Sequence, residues 1–350
     1  MIDQDGVRWV CDRACRAVRC SVFKSFPFEK VRVRLDLHDY AALLWCWAHN
    51  VSSGMASIIT GVARRTVQHW FLLFRDTVGR KERAHQDKLV FSAEGLQKGF
   101  AEVCGDATRI KRKLKRDANG RITQCWHASA IGLLQKQSLK FVVMPLDPVE
   151  VAVGSDGKPG APPPEKDAVV YNLVKKHVGK GVLLNSDGGS GGDGDHDRGL
   201  SMSPYAKAAR RMSQCQHDVL HGGVDHTAHQ YSRFMSITVG NKNGFQRVAR
   251  SQTTGARRIR AEVSTNHIEV LWKYLKRQLP ANLPYKAYVE DPWSWLMCAA
   301  WRLRVMRDPF LAFGRLLQGR EEDDEQTFAT DEEDSDDDGE STSDDEEDAW

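Results

Sequence analysis

Three acidic side chains, Asp106, Asp187 and Glu269, stand in settings that would let them converge. Asp106 lies in the strand-like run Val103-Cys104-Gly105-Asp106-Ala107-Thr108. Asp187 closes the apolar run Gly181-Val182-Leu183-Leu184-Asn185-Ser186, and Glu269 sits in the helical stretch from Ser264 to Arg277. A carboxylate on a first strand, one at the tip of a later strand and one on a late helix can meet at one end of a sheet. Carboxylates stay ionised at neutral pH, and hard divalent cations such as Mg²⁺ or Mn²⁺ take oxygen ligands. Two such ions about 3.5–4 Å apart clamp the entering and leaving oxygens of a phosphoryl transfer. The chemistry expected is metal-dependent cutting or joining of phosphodiesters. Singly, Asp106 and Asp187 read as ordinary surface acids; it is the three settings together, in this order along the chain, that set them apart. Asn266, one turn before Glu269, is an alternative oxygen donor.

The elements that must position these groups are legible around them. Phe100–Lys111, Ile122–Leu134 and Ser138–Leu146 read as strands, and the turns Asp117-Ala118-Asn119-Gly120 and Gln135-Lys136-Gln137 suit antiparallel neighbours. A helix is expected over Lys166–Val178, with the stripe Val169, Val170, Leu173, Val174 and Val178. The strand Val182–Ser186 then delivers Asp187. On the last helix, Glu269, Trp272, Lys273, Lys276 and Arg277 fall on one face, beside the apolar stripe Ile268, Leu271 and Leu275. Three cations next to a metal-binding acid suit DNA laid across the site. The whole is an α/β arrangement over residues 95–318, with flexible insertions at 153–165 and 188–202. The glycine run in the second insertion lacks the Lys-Ser or Lys-Thr of a phosphate-binding loop. His217, His221, His226 and His229 cluster after it with no zinc-finger spacing; His226 is expected to line the cleft.

Residues 31–85 read as a helix-turn-helix. Asp39–Ala48 forms a first helix, and Met55–Ile59 a second, capped at Ser52 or Ser53. Gly61 ends the second, and Arg64–Phe74 forms the third. Arg64, Arg65, Thr66 and Gln68 stand at the N-terminal end of the third helix, where recognition helices touch base edges. Over residues 1–30, Cys11 and Cys15 make half of a four-ligand zinc site, so a partial zinc ribbon holding residual Zn²⁺ is expected. The charge is divided. Residues 321–350 carry 18 of the 47 Asp and Glu and no Lys or Arg, which leaves residues 1–320 at +21. A body that basic suits a polyanion such as DNA. The acidic tail, 319–350, buries too little to fold alone and is expected to be disordered. No stretch is long and apolar enough to span a membrane. The scattered cysteines suit a reducing compartment, and the expected location is the nucleus, or the cytosol in a prokaryote.

Residues Val10 to Leu317 resemble the Merlin-type DDE transposases and their bacterial insertion-sequence relatives. The likeness rests on Trp9-Val10-Cys11 to Cys15-Arg16, on Leu44-Trp45 and on Ala63-Arg64-Arg65-Thr66-Val67-Gln68-His69-Trp70. Asp106, Ser186-Asp187-Gly188 and Val224-Asp225-His226-Thr227 add to it, and the most specific match is Ser264-Thr265-Asn266-His267-Ile268-Glu269 with Trp272 and Leu275-Lys276-Arg277. It implies an RNase H-like core, a mixed five-stranded sheet flanked by helices and preceded by the helix-turn-helix and partial ribbon. It also implies Mg²⁺-dependent cleavage at terminal inverted repeats, strand transfer into target DNA, and a homodimer or higher assembly on DNA. The sequence departs from these relatives in three ways: the first ribbon knuckle is absent, Ala107 follows Asp106 where relatives have an acid, and the glycine insert follows Asp187. A catalytically inactive or domesticated DNA-binding protein on the same fold is the alternative.

Overall fold

The computed structural model describes residues 8–9, 20–21, 35, 37–96, 99–154, 156, 158–160, 165–187, 203–215, 218–224, 232–239 and 257–305. Near the start, strand β1 (Arg8–Trp9) pairs antiparallel with β2 (Cys20–Ser21). Cys11 and Cys15 lie outside the described residues, as do His226 and the acidic tail. No described helix is long and apolar enough to cross a membrane.

Three helices follow: α1 (Leu37–Ala48), α2 (Ser53–Thr60) and α3 (Arg64–Lys88). Ser52 caps α2 by accepting from the Met55 N–H at 3.2 Å, and Gly61 ends it in the left-handed region with φ 70°. Val67, Trp70 and Phe74 from α3 are buried together with Tyr40, Leu43 and Trp47 from α1. Phe71 packs half-buried against the same cluster. The third helix, however, continues 14 residues past Phe74, because Val78, Glu82 and Gln86 carry the buried face onward.

The sheet is built on β3 (Ala101–Arg116). It pairs antiparallel with β4 (Ile122–Gln135) on one side and parallel with β7 (Val182–Asp187) on the other. Outside these lie β5 (Phe141–Pro145), antiparallel to β4, and β8 (Val219–Val224), parallel to β7. The order is β5-β4-β3-β7-β8, and the short β6 (Val149–Val151) pairs with the far end of β4 to make six strands. Parallel neighbours need crossovers. Helices α4 (Asp167–His177) and α5 (Pro204–Gln214) supply them and bury one sheet face with Val103, Ile131 and Leu184. The other face carries α6 (Asn266–Gln278), α7 (Tyr285–Glu290) and α8 (Pro292–Arg304), packed on Cys104, Ala130 and Leu134. A separate antiparallel pair, β9 (Ser232–Val239) and β10 (Arg257–Ser264), packs on Phe100, Leu183 and Val224.

The long α3 joins the helical region to the sheet through a polar chain. Arg304 of α8 donates to buried Glu82 at 3.0 Å, and Glu82 accepts from Gln86 at 3.0 Å. Gln86 in turn accepts from the backbone N–H of Val143 in β5 at 2.9 Å, which occupies that donor at the sheet's edge. Each group is satisfied by the next, so removing the central acid strands both neighbours. Glu82→Ala is expected to cost about 3 kcal/mol, read as a lower urea midpoint at unchanged denaturant slope. A midpoint equal to that of the wild type would show that the chain of bonds adds nothing.

Candidate functional site

Asp106 and Asp187 end up as neighbours because of strand register. β3 and β7 run parallel, with Cys104 opposite Asn185 and Gly105 opposite Ser186. The next residue on each strand is one of the two acids, at the C-terminal end of the pairing, where ligands collect in open sheets containing parallel strands.

Asp106 is held from the opposite side by α6. The indole Nε1 of Trp272 donates to its Oδ2 at 3.0 Å. The indole can come that close because the residue paired with Asp106 on β4 is Gly132. A Cβ there would lie 2.9 Å from the Trp272 ring and 2.9 Å from the Val142 carbonyl. On the other sheet face, a Cβ on Gly105 would lie 2.5 Å from the ring of buried Tyr205. Both glycines are therefore positions of close approach. The Tyr205 hydroxyl is buried without a hydrogen-bond partner, and the charges of Asp106 and Glu165 both act on it.

Burial pushes the Asp106 carboxyl up to about 6; the Ala107 N–H and Trp272 work against this, and the neighbouring acids Glu165 and Asp187 add to the rise. Glu165, just ahead of α4, is a residue that sequence reasoning missed. Its only signal is an acid placed directly before a helix that leads to Asp187. One turn beyond Trp272, Lys276 donates to Thr108 Oγ1 at 2.8 Å and lies in the field of Asp106. Asp106, Thr108 and α6 are thus tied at two levels.

The third expected acid, Glu269, is exposed on the first turn of α6 and accepts from Thr265 Oγ1 at 3.0 Å. Among the described residues, no three His, Cys, Asp or Glu side chains are grouped to hold a metal ion. The donor set fits a hard cation in part: Asp106 and Asp187, with Glu165 nearby, act on one another as like charges, the condition a divalent cation relieves. Asn266 is exposed at the start of α6. The helix face expected from the sequence needs one correction: Trp272 is buried with Ile268, Leu271 and Leu275 and does not stand on the outer face with the cations. Lys273, Lys276 and Arg277 are exposed, as are Arg64, Arg65 and Gln68 at the start of α3, with Thr66 half-buried.

His221 is the described member of the histidine cluster. It lies on β8 with Nε2 2.9 Å from Ser186 Oγ, beside Asp187 in sequence. Burial pushes it down to about 4, with Arg233 adding to the drop, so it is neutral at pH 7 and supports the strand rather than contacting phosphate as a cation. Just ahead of α6, the buried Cys104 Sγ of β3 donates to the Ser264 carbonyl at 3.2 Å.

No protein-family model matches the chain. The search of curated proteins finds no match either. Among solved structures, the chain is similar to the Drosophila P element transposase strand transfer complex, over 82% of its own length, with 9% identity and a TM-score of 0.26. It spans 61% of that chain. A likeness this slight assigns neither family nor activity. The chain is a mixed α/β protein with a six-stranded mixed sheet between helices.

The buried acid has a pH signature. An Asp raised from an ordinary 3.9 to about 6 holds its proton longer when folded than when unfolded. Its contribution to stability is present in full below about pH 4 and is lost as pH rises through 6. Asp106→Asn keeps an oxygen for Trp272 and removes this penalty. In EDTA it is expected to stabilise the chain at pH 8 by up to about 3 kcal/mol and by almost nothing at pH 4. Urea melts of both proteins at the two pH values check this. Equal gains at both would assign the effect to packing.

Proposed function

We propose that the chain is a DDE-type DNA transposase, which cuts the ends of a mobile element and joins them to target DNA. One observation carries the reading: the strand register sets Asp106 and Asp187 side by side where the parallel pairing of β3 and β7 ends, with an acid-rich surrounding and a cationic helix beside them. The strand order, with β4, second on the path β5-β4-β3-β7-β8, running against the other four, matches that of an RNase H-like core. The basic body, the residues resembling Merlin-type transposases, the exposed Arg64, Arg65 and Gln68 and the half-buried Thr66 all fit DNA as substrate.

On this reading Asp106 and Asp187 hold the cation, and Glu269 completes the set from α6. Mg²⁺ or Mn²⁺, when bound, supplies the positive charge that acidifies water and neutralises the phosphate. The protein's own groups do the positioning. Trp272 fixes Asp106, and Lys273, Lys276 and Arg277 seat the phosphodiester across α6. The start of α3 reads bases at the element end. In the first step water adds to phosphorus and the bond to the 3′ oxygen breaks, freeing a 3′-hydroxyl. In the second, that hydroxyl attacks a target phosphodiester and a new 3′-hydroxyl leaves. Two ends must be paired for this, so a homodimer or larger assembly on DNA belongs to the proposal, as does a nuclear location, or a cytosolic one in a prokaryote. The N-terminal half-ribbon at Cys11 and Cys15 would hold Zn²⁺ only with ligands from elsewhere.

One observation favours a second reading, a DNA-binding protein without catalysis: Glu269 is bonded to Thr265 and no three acids are grouped among the described residues. Two measurements separate the readings. Mn²⁺ titration of the transposase should give binding that Asp187→Asn abolishes. Nicking of DNA carrying the inverted repeats that flank the coding region should need Mg²⁺ and fall by about 10²–10³-fold in Asp187→Asn. Absence of Mn²⁺ binding together with retained DNA binding would establish the inactive protein instead.

A further inference from the structure

β3 does not stop where its pairing with β7 stops. That pairing ends at Gly105–Ser186, while β3 continues to Arg116 in register with β4 as far as Ile122. Among the described residues, β3 from Ala107 onward therefore has β4 on one side and no strand on the other. The register shifts between Arg109 and Lys111, a bulge that bends and twists the pair. This extension, called the arm below, has β6 beside β4 at Cys125–His127 and is two-stranded only beyond them; it is closed by a turn in which Asp117 Oδ1 accepts from the Asn119 and Arg121 N–H groups at 2.9 Å each.

The arm is almost wholly cationic. Between Arg109 and Arg121 it carries Arg109, Lys111, Arg112, Lys113, Lys115, Arg116 and Arg121 against the single acid Asp117, whose carboxylate serves the turn. All seven except half-buried Lys111 are exposed. Among the described residues none of them forms an ion pair. Such a concentration of like charge on two strands is self-repelling and needs an external polyanion to offset it. Charge on an open edge also keeps a second strand from pairing. That role accounts for some of the lysines but not for the continuity of the surface. Through the Lys276–Thr108 bond, the arm joins the exposed Lys273, Lys276 and Arg277 of α6 directly.

Shape favours a double helix. The eight residues from Arg109 to Arg116 extend about 26 Å, most of one turn of duplex DNA at about 34 Å. Single-stranded binders need free aromatic faces for stacking. The arm's one aromatic residue, Trp126, is covered by Lys113, with Nζ 5.2 Å from the ring centroid.

We propose that the β3–β4 arm is a DNA-binding surface separate from the start of α3, one that grips the sugar-phosphate backbone of duplex DNA without reading its sequence and leads it to α6. This rests on the reading of the chain as a DNA-processing protein and adds the element that holds DNA flanking the cut. The test is the salt dependence of full-length chain binding to duplex DNA of random sequence between about 50 and 200 mM salt. Arg112→Gln/Lys113→Gln/Lys115→Gln should make the log–log slope shallower by about 3, and Lys113→Gln alone by about 1. A charge-matched control, Lys140→Gln/Lys158→Gln/Lys175→Gln, should leave the slope unchanged, and all variants should keep the wild-type urea midpoint. An unchanged slope in the arm variants overturns the proposal, and so does a control that loses as much, or a loss seen with duplex RNA and not with DNA. If the arm variants merely associate with themselves while binding DNA as before, edge protection is their whole role and the proposal fails. These outcomes leave the catalytic reading standing as long as Asp187→Asn still abolishes nicking; a wild-type chain that retains no DNA ends both.

Discussion

A half-buried carboxylate in the middle of a sheet, with only neutral donors to hold it, is the constraint around which the site is arranged. Asp106 has the Trp272 indole as its side-chain donor and two acids, Glu165 and Asp187, in its surroundings. Burying an ionised carboxylate without a charged partner is costly, and like charges nearby increase the cost. Two glycines show how far the surrounding sequence goes to keep it there: Gly132 makes room for Trp272 and Gly105 for Tyr205. A fold selected for stability alone would place an apolar residue at position 106. Retaining an acid that costs stability is the behaviour of a functional group.

The same contacts settle where the surface cations lie. Trp272 and Lys276 pin α6 to β3 at Asp106 and Thr108, so the exposed Lys273, Lys276 and Arg277 have a fixed relation to the acids. Farther along, buried Arg302 of α8 donates to the Trp47 carbonyl at 2.9 Å and to the Gln278 carbonyl at 3.3 Å. It thereby ties the last turn of α1 to the end of α6. With the Arg304–Glu82–Gln86–Val143 chain, the helical region, the cationic helix and the sheet share one network of charge-assisted and backbone bonds. On the proposed function, elements that read and act on DNA gain from such coupling, because a displacement of about 1 Å is enough to spoil reacting geometry.

Much of this was legible in the chain because the stripes are clean. The strands around Asp106 and Asp187, helix α4 and the apolar side of α6 follow from periods of two and 3.6. Three features were hidden for physical reasons. β3 extends to Arg116, beyond the expected Lys111, because Lys111-Arg112-Lys113 has no apolar alternation; its pairing with β4 and not burial makes it a strand. α3 runs to Lys88 because its later buried positions include the polar Glu82 and Gln86, which a hydrophobic pattern cannot register. Trp272 was assigned to the outer face of α6 because a helical wheel does not know that a glycine waits on the strand beneath. Glu165 joins the site through the crossover, a long-range consequence of topology that no local spacing encodes.

The position of Glu269 follows from the same electrostatics. Asp106 and Glu269 both belong to the neighbourhood of α6, the first through Trp272 and the second one turn earlier on the same helix. Moving Glu269 toward Asp106 and Asp187 exchanges its bond from Thr265, worth about 1 kcal/mol, for a place among like charges. Repulsion among three carboxylates opposes that exchange, and positive charge reverses the balance. On the transposase reading, the bond to Thr265 is then the resting arrangement of an acid that joins the set only when cation and phosphate arrive together. Thr265 is buried, with 1% of its surface exposed, so its hydroxyl is fixed in place and the resting arrangement is a defined one.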